Sequence, residues 1–520
     1  MIDVLILAAG SIKHKFSFIK FGFSSPALLP INTRTVSSYI IDFYLQREDL
    51  RVNLVINEKD FSNVLEELIY YKDKISFILV KETISVIETL DIALDKIDSD
   101  DVIVNIVTTI PVDFIPKDCF FISDEILEAK DYSVVFDGKF YYKGSEIHRG
   151  YAFTGVFRTK KDLIKRAISK VGYKNDLMYV VEALSDKLKP IHTKWIDVGH
   201  EINYNRARNL LISSRSFNSI QIIEGKSLLI KRSKSKKIKD EADFVSLLPS
   251  DMQIYFPRIL KSSENQIIME YYGYPTLAEY MLYWDLDELY WNQIFKSIER
   301  LLDEFYEYRC SIGFEDHIAF YYNKTIKRIE EFKEQMKKIN LDFIFDDYIT
   351  INEKKFKNLE SLDKEIKCKI RDLYNKNDFC IMHGDLCFNN ILYDIYSHII
   401  RVIDARGSFG ELKGIYGDRK YDVAKLTHSV IGQYDYIVNN IFKVKIEDNK
   451  IFYWIPRRKN YEYLKNLNLK LIEKYNYSYD DIIFLVGLIF VSMTPLHNDN
   501  IDRQIVMYAH GIKYINEGLK

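Results

Sequence analysis

Between Phe379 and Gly407 the chain reads FCIMHGDLCFNNILYDIYSHIIRVIDARG, and no other stretch restricts the possible folds as much. An apolar lead-in ends at His383-Gly384-Asp385, Asn390 follows five residues after the aspartate, and two short apolar runs around a polar turn finish at Asp404. Runs of that kind predict a hairpin, which sets polar side chains beside one another at neighbouring strand ends. Two carboxylates and one amide brought together in this way are the set that phosphoryl transfer uses. One carboxylate orients or deprotonates the attacking hydroxyl, while an amide and a second carboxylate hold the Mg²⁺ that bridges the nucleotide phosphates. Asp385 is the expected base, and Asn390 and Asp404 are the expected metal ligands. His-Gly-Asp by itself is also a common turn; the spacing to Asn390 and Asp404 separates the two readings.

His383, Asp385 and Asn390 match the pattern HxDxxxxN, and Asp404-Ala405-Arg406-Gly407 matches an IDxxG segment. In these motifs the chain resembles the aminoglycoside phosphotransferase and choline kinase group of the protein-kinase-like fold. The resemblance implies an α+β bilobal domain, with an N-lobe over 215–272 and a helical C-lobe over 273–520. It also implies ATP and Mg²⁺ as cofactors and a small-molecule hydroxyl of a sugar, polyol or amino alcohol as acceptor. His383 is expected to fix the loop rather than to transfer protons.

Upstream, Ser219 to Ile223 and Ser227 to Lys231 alternate about Glu224-Gly225-Lys226 and predict a hairpin, while Ile238 to Leu248 has helical spacing and carries Glu241. The family's strand lysine grips the α- and β-phosphates and pairs with a helix glutamate; Lys231 and Glu241 stand in those places, in preference to an ordinary surface pair. Ile267 to Tyr272 reads as a buried strand, and the resemblance makes it the hinge whose backbone at Glu270 and Tyr272 meets adenine. No GxGxxG loop precedes Lys231, which argues against a protein kinase as such. Further on, Tyr416 to Leu426 is similar to the family's GDxxxDLA segment, where Asp422 either braces the catalytic loop or caps the helix it opens. His497, Asp499 and Arg503 either line an acceptor pocket or belong to a polar loop capping the last helix.

The first part of the chain has a different pattern. Val4 to Gly10 is an apolar strand running into a small-residue turn, followed by predicted helices near Val36 to Leu45 and Phe61 to Tyr71 and strands at Arg51 to Ile56 and Val102 to Val107. Such alternation predicts a doubly wound α/β domain over 1–210. LILAAG, Ala27-Leu28-Leu29-Pro30-Ile31, Gly150 to Arg158 and Trp195 to His200 resemble the sugar-phosphate and alcohol-phosphate nucleotidyltransferases. That resemblance implies Gly10 at the nucleotide phosphates and Asp197 as a metal carboxylate. The chain departs from the family's LAAGxGxR by lacking the second glycine and by offering only Lys13 or Lys15 for the arginine. Ser25 replaces the lysine before the proline, and Thr108-Thr109 stand where the other metal aspartate belongs. Such losses remove several kcal/mol from a reaction that depends on charge neutralisation.

The nucleotidyltransferase-like half is therefore expected to be inactive. For the whole chain, the alternatives are a bifunctional kinase and nucleotidyltransferase making a nucleoside-diphosphate-activated precursor, and a non-catalytic N-terminal binding module fused to a kinase. A kinase fused to such a half resembles enzymes of bacterial capsule, teichoic-acid or lipopolysaccharide precursor synthesis. Asp98-Ser99-Asp100 precedes its strand and reads as a solvated turn, since ligand-binding carboxylates stand at carboxyl ends.

Composition narrows the rest. A chain of 520 residues exceeds one core, and its length suggests about three packed units. A net charge of -2 offers no field for nucleic acid or anionic membrane, so the lysines of 231–239 read as a solvated junction. Five scattered cysteines fit a reduced compartment and neither a disulfide framework nor a zinc site. No basic leader precedes the first strand, and Ile482 to Leu496 is shorter than the roughly eighteen residues of a membrane span. A cytoplasmic protein with one buried apolar helix is expected. Leu289 to Tyr308, Asn323 to Lys338 and Ile351 to Tyr374 are predicted to be long amphipathic helices.

Overall fold

The computed structural model describes residues 1–10, 25–145, 148–174, 176–212, 218–223, 225–234 and 237–520. The chain divides into two compact units, Met1–Leu211 and Ile212–Lys520.

In the first unit, Ile2–Leu7 lies between Leu50–Asn57 and Asp101–Ile106 in parallel, with Ser76–Val80 outside Leu50–Asn57. Arg149–Lys160 then runs antiparallel along Asp101–Ile106. Side chains alternate across the sheet, so Val4 and Ile6 enter one core with Ile40 and Tyr44, while Leu5 and Leu7 enter the other with Leu90 and Ala93. Burial on both faces is why the strand is continuously apolar. The strand order reverses between Ile2–Leu7 and Asp101–Ile106, and the doubly wound expectation holds. The crevice at their carboxyl ends is where such sheets bind ligands.

The second unit begins with a four-stranded antiparallel sheet in the order Asn218–Ile223, Leu228–Ser233, Gln266–Glu270, Ile259–Ser262. The helix Lys237–Leu247 buries Ile238 and Ala242 against Ile267 and Met269 of that sheet. The remainder of the unit is mostly helical, including Glu288–Glu307, Lys324–Lys337, Arg419–Val430, Tyr479–Met493 and Ile501–Gly518. The helical stretch Tyr479–His497 is 19 residues, longer than expected and long and apolar enough to cross a membrane, but every residue from Ile482 to Met493 is buried, the pattern of a core helix.

The long helix expected over Ile351 to Tyr374 does not form. Tyr348–Ile351 and Lys354–Lys357 are a hairpin, turned by Asn352 and Glu353 at φ 47° and 64°. The hairpin pairs onward with Lys450–Trp454, and helix resumes only at Asp363–Asp372. Cross-strand pairing and the burial of Ile349 and Ile351 outweigh the local helical spacing. The helix expected to Tyr71 likewise ends at Glu67, with one tighter turn over Ile69–Tyr71.

His510, on Ile501–Gly518, packs between the Tyr453 hydroxyl, 2.6 Å from Nδ1, and the Gly432 carbonyl, 3.0 Å from Nε2. One nitrogen accepts and the other donates, the pattern of a neutral ring; burial lowers its pKa from 6.5 to about 3. Between those values the unfolded chain binds a proton that the folded one refuses, so stability falls as pH falls. Replacing it, as His510→Asn, should flatten the dependence of unfolding free energy on pH by about 1.4 kcal/mol per pH unit in that window. Denaturant titrations across acidic pH check this, and an unaltered slope would count against a neutral buried His510.

Candidate functional site in the second unit

The strand Phe379–Ile381 pairs with Tyr416–Asp418 and delivers His383-Gly384-Asp385. Gly384 sits at φ +78°, and a Cβ there would lie 2.7 Å from the Arg406 Cβ; only glycine lets the two loops pass so closely. The Arg406 N–H donates to the His383 carbonyl at 2.9 Å. The Asn390 amide donates to the Asp385 carbonyl at 2.8 Å and to its Oδ2 at 3.2 Å. Ile391–Asp394 and Ile399–Val402 form the expected hairpin, and the Ile403 N–H donates to the Asn390 carbonyl at 3.0 Å. Asp404 thus leaves its strand beside Asn390. It does so at φ +61°, a left-handed conformation that aspartate adopts more readily than most residues and that clusters at functional sites.

Helix Arg419–Val430 braces this loop along one face. Its N-cap is Asp418, whose carboxylate accepts from the Lys420 N–H at 2.9 Å, so the capping alternative for Asp422 is set aside. Asp422 accepts from the His383 and Gly384 N–H groups, both at 2.8 Å. Burial pushes its carboxyl up to about 7, with those two N–H groups pulling it down. Three residues on, Lys425 places Nζ 2.7 Å from Asp385 Oδ1. Burial opposes its charge, but Asp385 and neighbouring groups outweigh that and hold the ammonium protonated. Ser429 accepts from the Phe388 N–H at 2.9 Å, and Asp435, just beyond the helix, accepts from the Asn389 amide at 2.8 Å. Asp422, Lys425 and Ser429 share a face by helical spacing. Lys425, Ser429 and Asp435 were missed in the sequence; the available signal was polar side chains on a helix buried all round from Lys420 to Val430.

His383 is fully buried, and burial lowers its pKa to about 4. Its Nδ1 accepts from the Asp385 N–H at 3.2 Å, which makes it a neutral support for the loop.

Lys231 is on the strand Leu228–Ser233, flanked by Ile220 and Ile267 on the neighbouring strands. Its ammonium is 2.6 Å from Glu241 Oε2 and 2.5 Å from Asp404 Oδ1. Burial opposes the charge on Lys231, and Asp404 and Glu241 restore it; burial pushes Glu241 up. Gly407, at φ +66°, is required by the approach of the Lys237–Leu247 helix: an added Cβ would lie 2.3 Å from the Asp240 carbonyl oxygen. The strand expected to run to Tyr272 ends at Glu270, and Tyr272 lies two residues beyond it. The Tyr272 hydroxyl donates to Glu270 at 2.9 Å, and the Tyr271 N–H donates to the Ser227 carbonyl at 2.8 Å.

Among the described residues no three His, Cys, Asp or Glu converge as a metal site. The Asp404 carboxylate, paired with Lys231, and the Asn390 side chain, bonded through its amide to Asp385, offer hard oxygen donors of the kind Mg²⁺ takes. Asp499 and Arg503 pair with each other at 2.9 Å, and Asn500 caps the last helix, as expected of a polar capping loop. His497 turns instead towards the Tyr434 ring, 6.3 Å away.

In the first unit, Gly10 is exposed after its strand, whereas Lys13 and Lys15 lie outside the described residues. Asp197 is buried and accepts from the Gly199 N–H at 2.8 Å, from the Asn203 amide at 2.9 Å and from His200 Nδ1 at 2.7 Å. Its strand pairs with Thr109, whose hydroxyl accepts from Trp195 Nε1 at 3.1 Å. The carboxylate thus anchors its own loop, with threonines alongside instead of a second carboxylate. Asp98 and Asp100 lie at the amino end of Asp101–Ile106, away from the crevice.

No protein-family model and no curated relative matches the chain. Its N-terminal two-fifths is similar to solved nucleotidyltransferase and sugar-pyrophosphorylase folds. A nucleoside-diphosphate-sugar pyrophosphorylase from Vibrio cholerae has 13% identity and a TM-score of 0.31, over 40% of this chain and 99% of that one. The inositol-1-phosphate CTP transferase from T. maritima has 14% identity and a TM-score of 0.30, over 41% and 98%. HddC from Yersinia pseudotuberculosis has 20% identity and a TM-score of 0.30, over 40% and 98%.

Proposed function

We propose that the chain is an ATP- and Mg²⁺-dependent phosphotransferase acting on a small-molecule hydroxyl, through a protein-kinase-like bilobal domain within Ile212–Lys520. The observation that carries this reading is the Lys231 ammonium joined to both Glu241 and Asp404, next to a loop on which Asp385 and Asn390 are bonded to each other. Lys231 holds the nucleotide phosphates and Glu241 orients it. Glu270 to Tyr272 presents backbone groups to the base. Asn390 and Asp404 hold magnesium, which when bound neutralises charge developing on the phosphates. Asp385 accepts the proton of the attacking hydroxyl, and His383, buried and neutral, keeps the loop in place.

The first unit is a nucleotidyltransferase-like module without transfer activity on this reading, because Asp197 is taken up by its own loop and Thr108-Thr109 supply no charge. A place in surface-polysaccharide precursor synthesis, in the cytoplasm where ATP is available, fits both units. The test uses the full chain with ATP, Mg²⁺ and a panel of sugars, polyols and amino alcohols, and in parallel with CTP, GTP or UTP and sugar phosphates. Phosphorylated acceptor and ADP are expected from the first arm and no pyrophosphate from the second. Failure to phosphorylate any acceptor would reject the kinase, and pyrophosphate release that Asp197→Ala abolishes would restore the bifunctional alternative.

A further inference from the structure

Arg406 stands two residues past Asp404 and runs alongside the loop that carries Asp385. Its Cβ and Cδ lie 2.7 and 3.2 Å from where a Cβ on Gly384 would be, and its N–H donates to the His383 carbonyl at 2.9 Å. The side chain is half-buried, yet among the described residues no carboxylate pairs with its guanidinium. Its contacts are the Tyr421 hydroxyl, which accepts from Nη1 at 3.4 Å, and the Phe320 ring, whose centre is 5.0 Å from Cζ. The other N–H groups of the guanidinium have no protein acceptor among the described residues and are not closed off from solvent. Arg419, also half-buried, is by contrast joined to Asp378 at 3.0 Å.

The support beneath the guanidinium is rigid. Phe320 is fully buried and stacks on Phe409, with ring centres 4.1 Å apart. It lies in Ala319–Asn323, a π-helical turn, a rare form that gathers at functional sites. Lys324, just after that turn, places Nζ 3.6 Å from the centre of the same ring, so two cations share one aromatic side chain. A partly desolvated charge without a counter-charge is costly. The planar fork of a guanidinium matches the paired oxygens of a carboxylate or a phosphate, and here the unused donors stand open beside the loop where Asp385 receives the acceptor hydroxyl.

We propose that Arg406 is a specificity-determining residue that binds an anionic group on the acceptor, a carboxylate or a phosphate, so that the acceptor is an acidic derivative of a sugar or polyol. This rests on the phosphotransferase reading above and narrows its acceptor class. The full chain is assayed with ATP and Mg²⁺ on matched acceptors: sugar and polyol acids, sugar and polyol phosphates, and their uncharged parents. The better of the two acidic sets should exceed its uncharged parents in kcat/KM on the order of 10²-fold, the scale of a charge-assisted pair left unmade, and the set that leads names the anion.

Arg406→Met should shrink that preference about tenfold or more, chiefly through KM for the acidic acceptor. Arg406→Lys, which keeps the charge and loses the fork, should retain part of it. Nucleotide titration of the same proteins separates the two anions that meet in the site: a loss that falls on the nucleotide Kd instead of the acceptor KM assigns the guanidinium to ATP and overturns the inference. An uncharged parent used by the unaltered chain as well as its acids also overturns it, and that result needs no variant to fold. Absence of phosphorylation in every set overturns the phosphotransferase reading with it.

Discussion

Asp385→Asn should lower turnover about 10²- to 10⁴-fold, the range typical for removal of a positioned general base, with nucleotide affinity nearly unchanged. The amide cannot take the acceptor's proton, whereas the groups assigned to the phosphates, Lys231, Asn390 and Asp404, stay in place. The ion pair adds a second effect. Lys425 is buried 2.7 Å from Asp385, and removing the carboxylate's charge leaves that ammonium unmatched, a loss of roughly 3–5 kcal/mol for a buried pair. Adding Lys425→Met to Asp385→Asn should recover most of that stability and none of the activity. Turnover and thermal unfolding measured on the three variants separate the two roles. Undiminished turnover in Asp385→Asn would remove it as the base.

Gly407→Ala should weaken nucleotide binding on the order of 10- to 100-fold, about 1.4–2.8 kcal/mol, although the side chain touches no nucleotide. The new methyl group would sit 2.3 Å from the Asp240 carbonyl at φ +66°, so the helix Lys237–Leu247 must back away. Glu241, on that helix, then leaves Lys231, whose hold on the phosphates depends on it. Gly414→Ala is the control, because Gly414 also has positive φ but no atom within 4 Å of an added Cβ; it should cost only backbone strain, about 1 kcal/mol or a little more. Nucleotide titration of both proteins decides. Equal affinities would mean that the helix accommodates the methyl group without moving Glu241.

Local spacing was enough to bring some residues together. Asp385 and Asn390 lie on one loop and bond to each other, and the hairpin that follows returns the backbone at Ile403 to Asn390, so apolar runs and a turn largely dictate where Asp404 begins. Lys231 and Glu241 are ten residues apart on a strand and the next helix, and the first unit's alternating elements specified a doubly wound sheet because central strands such as Ile2–Leu7 bury both faces. Other features depend on approaches that no local pattern encodes. Lys425 reaches Asp385 only because helix Arg419–Val430 packs against the loop, and the same packing gives Asp422 to the N–H groups of His383 and Gly384 instead of its own helix start. The hairpin Tyr348–Ile351 and Lys354–Lys357 overrode a helical pattern by pairing with a strand about a hundred residues later. Asp197 looked available until its loop folded back on it. Which chemical groups share a loop was legible from the order of residues alone, since it depends on chain geometry over a few positions. Which buried charges face one another was settled only by packing between distant elements, since such an ion pair forms where water has already been excluded.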